Sequence, residues 1–283
     1  MSLLTPTDVR ALAASIDLVP TKRLGQNFVI DANTVRRLVG LAGVGPGCDV
    51  LEIGPGLGSL TLGLLAAGAR VTAVEIDPAL ASLLPQTVAQ RLPDRAGDLT
   101  VICADALKLA PAEVRPPTRL VANLPYNVAV PVLLHLLGSF ETIEDGLVMV
   151  QLEVAQRLTA PPGSRVYGAP SAKLAWYAGA QLAGTVAASV FWPVPNVGSG
   201  LVRFARRPAP ATAATREQVF AVVDAAFAQR RKMLRGALSS LADAPSLLAA
   251  LEAAGVAPTD RGETIGIGQF AAIAGSLFQP SKH

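Results

Sequence analysis

One stretch decides the fold of this chain of 283 residues: 49-DVLEIGPGLGSLT-61. A short β-forming run ends in three glycines at alternate positions, Gly54, Gly56 and Gly58, and a helical pattern begins directly behind them. Glycine has no Cβ and tolerates a positive φ, so such a strand–turn–helix junction lets the backbone approach a ligand closely. A tight turn with nothing bound is the competing interpretation of a glycine-rich turn.

The spacing of the glycines separates two classes of ligand. A dinucleotide fingerprint, G-x-G-x-x-G, needs its third glycine where Ser59 stands. The pattern present is G-x-G-x-G, preceded by the acid Glu52, and it resembles motif I of the S-adenosylmethionine-dependent methyltransferases. That resemblance implies a Rossmann-like sheet and a ligand that carries a carboxylate and a sulfonium instead of a pyrophosphate.

Polar residues around two further strands could face the same ligand. Glu75 lies near the end of the run 70–77 and follows the glycines at about the distance where a doubly wound fold places the acid that accepts both ribose hydroxyls. Asp105 follows the run 99–103 and could accept a hydrogen bond from an adenine amino group. Near the N-terminus, Asn27 could hydrogen-bond the carboxylate end of the cofactor.

The most specific chemical signal is 123-NLPYN-127, which follows a fourth strand. An exocyclic purine amino group is a poor nucleophile because its lone pair is delocalised into the ring. The Asn123 side-chain oxygen and a carbonyl in the Leu124–Pro125 segment can accept its two N–H bonds, and Tyr126 can stack on a flipped base. Asparagine is no base at neutral pH, so catalysis here would rest on positioning and electrostatics. A corner that asparagine caps and proline rigidifies is the structural alternative.

Two basic clusters and one aromatic segment are candidates for contact with nucleic acid. Lys22 and Arg23 precede Asn27, and 229-QRRKMLR-235 places further cations on an expected helix. Those cations could track a nucleic-acid backbone, although a solvated face is the usual interpretation of a charge run. The segment 191-FWPVPNV-197 could present an aromatic ring at the mouth of the site, or form an ordinary hydrophobic corner.

Composition bears on whether the protein binds nucleic acid, contains disulfides or a metal, or enters a membrane. Lysine and arginine outnumber aspartate and glutamate by only 24 to 21, so the placement of charge must decide whether nucleic acid is bound. Two isolated cysteines, Cys48 and Cys103, argue against a disulfide framework and against a metal site. No apolar run reaches the roughly 18 residues that span a bilayer, and the N-terminus lacks a signal pattern. We expect a reduced cytoplasmic protein that neither binds metal nor enters a membrane.

Together these motifs resemble the ribosomal RNA adenine N6-dimethyltransferases, most closely their bacterial small-subunit (16S) branch, from about Thr21 to Phe278. The segments that carry the resemblance are 22-KRLGQNF-28, 52-EIGPGLG-58, 123-NLPYN-127, 167-YG-168, 191-FWPVPNVGS-199, 229-QRRK-232 and 261-RGE-263. The resemblance implies a mostly parallel seven-stranded sheet in a methyltransferase domain, 1–207, and a small helical RNA-binding domain, 208–283. It implies S-adenosyl-L-methionine as cofactor. The expected partner is 16S rRNA in the precursor of the small subunit, where two adjacent adenines of the 3′-terminal hairpin are dimethylated, and we expect a monomer.

Carried over position by position, the resemblance assigns three groups of residues. The cofactor contacts are Asn27, Val29, Gly54, Glu75, Asp105 and Asn123, with Gly56, Gly58, Ile76 and Ala106 beside them. The catalytic segment is Asn123, Leu124, Pro125 and Tyr126. The contacts to the base or the RNA are Phe191, Lys22, Arg23, Arg230, Arg231 and Lys232.

Departures from the family pattern leave rival interpretations open. Valine replaces the usual leucine at Val29, and Gly198 and Gly200 replace an acid and an alanine. A sister branch that methylates 23S rRNA more often has isoleucine where Leu124 stands, and DNA adenine methylases typically have proline there. A non-catalytic RNA-binding assembly factor that kept the fold is a further alternative.

Overall fold

A computed structural model describes residues 3–20 and 26–278, which form two compact units. The first unit comprises Met1–Ala155 and Gln181–Arg206, and the second comprises Gln156–Ala180 and Arg207–His283. The chain passes between the units three times, and the third junction lies between Arg206 and Arg207. The domain boundary expected near residue 207 stays a prediction. Residues 156–180 go with the helical unit because side chains such as Tyr167 and Ala172 belong to its hydrophobic core.

The first unit is built on a seven-stranded sheet. Its strands are β2 (Asp49–Ile53), β3 (Arg70–Glu75), β4 (Leu99–Cys103), β5 (Arg119–Asn123), β6 (Asp145–Gln151), β7 (Ala178–Val186) and β9 (Ser199–Arg206). They lie in the order β4-β3-β2-β5-β6-β9-β7. The first five are parallel, and β9 runs antiparallel to β6. The predicted mostly parallel sheet is confirmed, and its order reverses between β2 and β5, where open α/β sheets bind their ligands.

A second, two-stranded sheet was not predicted. Strand β1 (Phe28–Val29) pairs antiparallel with β8 (Phe191–Trp192), with Phe28 opposite Trp192 and Val29 opposite Phe191. Part of the segment 191–197 therefore forms a short strand, and its partner β1 lies against the glycine-rich turn.

Helices cover the sheet of the first unit. They are α1 (Pro6–Ser15), α2 (Ala32–Ala42), α3 (Ser59–Ala66), α4 (Pro78–Arg91), α5 (Ala129–Ser139) and α6 (Leu152–Leu158), the last of which crosses the first junction. Thr5 caps α1 through a reciprocal pair of hydrogen bonds with Asp8, because Pro6 lacks an N–H and its fixed φ suits the first helical position.

The second unit is helical. Its helices are α7 (Ala169–Tyr177), α8 (Arg216–Ala228), α9 (Leu234–Ala237), α10 (Ala244–Ala253) and α11 (Ile267–Leu277). Helix α8 begins with a capping box: the N–H of Thr215 donates to the Gln218 side chain at 2.8 Å, and the Gln218 N–H donates to the Thr215 hydroxyl at 3.3 Å. The expected helix over 229–232 is wrong, because α8 ends at Ala228 and a turn follows.

Candidate functional site

The turn between β2 and α3 forms one wall of a pocket. Gly54, Gly56 and Gly58 adopt φ values of 65°, 56° and 92°, a region that L side chains rarely occupy. A Cβ on Gly56 would lie 2.7 Å from the Phe28 ring, so both conformation and space require glycine there. Ser59, which stands where a dinucleotide fingerprint would have glycine, donates its hydroxyl to the Val29 carbonyl at 2.6 Å and ties the turn to β1.

The pocket collects almost the whole predicted cofactor set. The residues that line it include Asn27, Val29, Gly54, Gly56, Glu75, Ile76, Asp105, Ala106 and Asn123. They converge because β2, β3, β4 and β5 are parallel neighbours whose carboxyl ends meet at one edge of the sheet. Gly58 is the exception. It is the N-cap of α3, and a Cβ there would meet Leu84, so it shapes the turn from behind the pocket wall.

The pocket is rich in carboxyl groups. Glu52, Glu75 and Asp105 line it, and the described lining residues include no lysine, arginine or histidine. Glu75 accepts hydrogen bonds from the N–H groups of Gly56 and Asp77, each at 3.1 Å, and burial raises its pKa. Without a cationic side chain in the described lining, the pocket has nothing to pair with a phosphate group.

Glu52 is a site residue that sequence reasoning named only as the acid of the motif. It lies on β2, one residue before the end of the strand, and is 1% exposed. Its Oε2 atom has no hydrogen-bond partner. Burial, together with repulsion from Glu75, raises the pKa of Glu52 to about 8. The only signal in the sequence was its place just before the first glycine.

Asn123, at the end of β5, is held in one orientation. Its Nδ2 donates to the backbone carbonyl of Asn27 at 2.9 Å, and since a carbonyl can only accept, this bond fixes which end of the amide is oxygen. The Oδ1 atom is buried and has no partner. Pro125 also lines the pocket, whereas the Leu124 side chain is buried, so any contact of Leu124 with a ligand would be through its backbone.

A second cavity adjoins the first through the shared residues Gln26 and Asn27. Its other lining residues are Pro20, Tyr126, Asn127, Gln151 and 193–197. The Tyr126 hydroxyl lies 2.7 Å from Ser199 Oγ. Tyr126, the residue predicted to stack on a flipped base, therefore lines this cavity.

The structure does not support Phe191 as a ring that contacts the base. Its side chain is 0% exposed and belongs to the main hydrophobic core, because the pairing of β8 with β1 points it inward. Its neighbour Trp192 stacks on Phe28, with 6.2 Å between ring centroids. The prolines of the same segment, Pro193 and Pro195, line the second cavity instead.

The predicted RNA-contacting cations differ in their surroundings. Lys22 and Arg23 lie outside the described residues. Arg230 donates to Glu263 at 2.8 Å and to the Arg165 carbonyl at 2.6 Å, so it is held within the second unit. Arg231 and Lys232 are exposed on the turn that follows α8.

The described part of the chain offers neither a cluster of metal ligands nor a membrane-spanning helix. No group of three or more His, Cys, Asp or Glu side chains that could hold a metal ion occurs in it. None of the helices within residues 3–20 and 26–278 combines the length and the apolar character that crossing a membrane requires.

Comparisons with known proteins agree with one another. The family described as ribosomal RNA adenine dimethylase matches residues 20–279. Relatives named ribosomal RNA small subunit methyltransferase A include that of Thermobifida fusca, 63% identical over 96% of this chain and 95% of the relative. The relative of the same name from Kineococcus radiotolerans is 62% identical over 96% of this chain and 91% of its own length.

Solved structures give the same fold. The 23S rRNA methyltransferase ErmE superposes with a TM-score of 0.64 at 27% identity, over 89% of this chain and all of the other (100%). A dimethyladenosine transferase from Plasmodium falciparum superposes with a TM-score of 0.73 at 20% identity, over 87% of this chain and 95% of the other, a likeness of fold alone.

Proposed function

This chain belongs to the ribosomal RNA adenine dimethylase family, and on that premise we propose that it transfers methyl groups from S-adenosylmethionine to adenine N6 in rRNA. The substrate proposed is 16S rRNA of the small subunit, at two adjacent adenines of the 3′-terminal hairpin. The small subunit is chosen because relatives with about 60% identity over nearly the whole chain are named for it.

The lining of the first pocket supports S-adenosylmethionine as the cofactor. S-adenosylmethionine supplies a methyl group that its positive sulfur has already activated. In this proposal Glu75 accepts the ribose hydroxyls and Asp105 accepts from the adenine amino group; the support for it is that both carboxyl groups line the pocket. Gly54 and Gly56 let the backbone approach without a side chain between. The described lining offers carboxyl groups and no cationic side chain to pair with a phosphate, which favours the sulfonium donor over nucleotides that carry phosphates.

The observation that carries the proposal is the unpartnered Oδ1 of Asn123. A buried acceptor without a partner destabilises a protein by about 1–3 kcal/mol, so such an atom needs a reason to persist. Asn123 lines the first cavity, and Tyr126, in the same segment, lines the second, which shares Gln26 and Asn27 with the first. An amino group that enters past Tyr126 would donate to this oxygen and would be held facing the cofactor pocket.

Holding the amino group is the whole chemical role that the side chains supply. An amide cannot take a proton at neutral pH, so Asn123 lowers the barrier by orienting the nitrogen lone pair toward the methyl group. The carbonyl groups of the Leu124–Pro125 segment are the candidates for the second N–H bond. Action in the cytoplasm as a monomer remains part of the proposal.

Methyl transfer by the purified protein tests this function. Small subunits that lack the modification are incubated with methyl-labelled S-adenosylmethionine, and the digested rRNA is analysed for N6,N6-dimethyladenosine. We expect dimethylation by the wild type and a loss of about 100-fold or more in Asn123→Ala, the effect of removing one preorganised hydrogen bond at a reacting group. Gln86→Ala, which truncates an exposed amide on α4, serves as the matched control and should keep full activity.

The same assay separates the rival functions. Large subunits and duplex DNA are offered in competition, and preferential methylation of either would replace the proposed substrate. Calorimetry with S-adenosylmethionine addresses the non-catalytic assembly factor, which need not bind the cofactor. An inactive wild type, or equal rates for wild type and Asn123→Ala, would overturn the proposed reaction.

A further inference from the structure

We propose that Ser199 is a positioning residue that holds the ring of Tyr126 in place as one wall of the second cavity. The inference rests on the proposed function, because it gives that cavity to the everted adenine. Ser199 acts through the tyrosine hydroxyl and touches neither substrate nor cofactor.

Ser199 has little freedom to move. It is the first residue of β9, opposite Gln151 at the end of β6, and its residue is 0% exposed. The neighbouring Gly198 carbonyl accepts a hydrogen bond from the Leu152 N–H at 3.0 Å. On the other side a Cβ on Gly200 would collide with Ala155, so the strand packs directly on the helix that follows β6. The serine hydroxyl is therefore presented from a strand end that pairing with β6 and packing against α6 hold in place.

Tyr126 is anchored at its other end by the backbone. The Leu124 N–H donates to the Met149 carbonyl at 3.0 Å, and the Val128 N–H donates to the Pro125 carbonyl at 3.2 Å, which closes a turn around the tyrosine. The hydroxyl then reaches Ser199 Oγ at 2.7 Å, across 73 positions of sequence. With the backbone and the hydroxyl both fixed, the ring has one orientation.

A fixed ring suits the rest of the cavity. The polar side chains that line it are carboxamides, and no charged side chain occurs among the described lining residues. The carboxamides are those of Gln26, Asn27, Asn127, Gln151 and Asn196. Neutral donors and acceptors beside an aromatic face match an uncharged nucleobase. Burial raises the pKa of Tyr126, so the phenol stays neutral and keeps the bond to Ser199 at physiological pH.

The Ser199 side chain is buried, and its hydroxyl bonds to Tyr126. A buried hydroxyl needs a partner, and the partner here is a residue of the proposed catalytic segment rather than a neighbour in its own strand. Pre-setting the ring removes the cost of ordering it when the base enters. Loss of the bond should therefore weaken productive binding of RNA and leave the cofactor pocket unchanged.

A double-mutant cycle tests this inference. Ser199→Ala, Tyr126→Phe and the double variant are assayed for methyl transfer to small subunits, and cofactor binding is measured by calorimetry. We expect each single variant to lower kcat/KM for the subunit by about tenfold, mainly through KM, which is the effect of one lost hydrogen bond. The double variant should be no worse than either single variant, and cofactor affinity should stay within about twofold.

Tyr167→Phe is the matched control. It also removes a buried tyrosine hydroxyl, one that donates to the Ile265 carbonyl at 3.1 Å in the second unit, and it should leave KM unchanged. Additive effects of the two single variants, or a loss of cofactor affinity in Ser199→Ala, would refute the positioning role. A full effect in Ser199→Ala with none in Tyr126→Phe would also refute it. An inactive wild type overturns the proposed function itself and removes the base from this cavity, a result distinct from additivity in an active enzyme.

Discussion

At the scale of single residues, the buried Glu52 carboxyl couples the folding of the pocket to the binding of a proton. A carboxyl group that is 1% exposed, with Oε2 unpartnered and Glu75 nearby, holds its proton far above the usual range, and its pKa rises to about 8. In the unfolded chain the same group would ionise near its ordinary value of 4.5. Folding is therefore coupled to proton uptake at this position.

The sign of this coupling gives a prediction for stability against pH. The contribution of protonated Glu52 is fully present below about pH 4.5 and is lost as pH rises toward about 8. The free energy of unfolding should fall across that window by up to about 1.4 kcal/mol per pH unit from this group. Glu52→Gln keeps the size but cannot ionise, so its unfolding free energy should depend less on pH.

Urea denaturation at about pH 5, about pH 6.5 and about pH 8, values that sample the window in which Glu52 titrates, measures this slope. Glu75, whose pKa burial also raises, leaves some pH dependence in the variant. Glu141→Gln, at an exposed position, is the control and should reproduce the wild-type slope. Parallel slopes for wild type and Glu52→Gln would mean that Glu52 is ionised in the folded protein.

At the scale of elements, the β2–α3 turn depends on two properties of glycine that substitution can separate. Gly56 lies in this turn, and Gly47, which precedes β2, is the comparison. Both have positive φ, 56° and 86°, but of the two only Gly56 has a close neighbour: an added Cβ would lie 2.7 Å from the Phe28 ring. Gly47→Ala should lower the free energy of unfolding by about 1–2 kcal/mol, the strain of a left-handed alanine. Gly56→Ala should lower it further, because Phe28 must move.

Cofactor affinity adds a functional measurement to this pair. Phe28 lies on β1 and lines the pocket, so we expect Gly56→Ala to weaken S-adenosylmethionine binding by at least about tenfold, or 1.4 kcal/mol. Gly47→Ala should leave the affinity unchanged. Stability is read by urea denaturation and affinity by calorimetry. Equal affinities for the two variants would show that the close approach of Phe28 does not shape the site.

Local pattern was enough to predict the elements that build the pocket. The glycine turn, the acid at the end of β3 and the asparagine at the end of β5 follow from strand ends meeting at one edge of a parallel sheet. The pairing of β1 with β8 could not be predicted in this way, since two-residue strands far apart in sequence show no periodicity. That pairing buries Phe191, which is why the aromatic predicted to face the base lies in the core.

At the scale of the whole molecule, the two units carry different chemistry. Both cavities and the carboxyl groups are in the first unit, whereas the turn with three consecutive cations is in the second. The family match, over residues 20–279, spans both units. We therefore expect the second unit to supply affinity for RNA, and the first to supply the reaction.

The three cations of that turn should not contribute equally. Arg230 is engaged by Glu263 and by the Arg165 carbonyl, so Arg230→Ala should mainly destabilise the second unit. Arg231→Ala and Lys232→Ala remove exposed charges and should each weaken binding to small subunits, while the slope of log affinity against log salt becomes shallower by about 1 per lost phosphate contact. Arg10→Ala removes an exposed cation from α1 and controls for net charge. Binding measured across a salt titration decides the matter: an equal loss in Arg10→Ala would mean that overall charge, and not this turn, attracts the RNA.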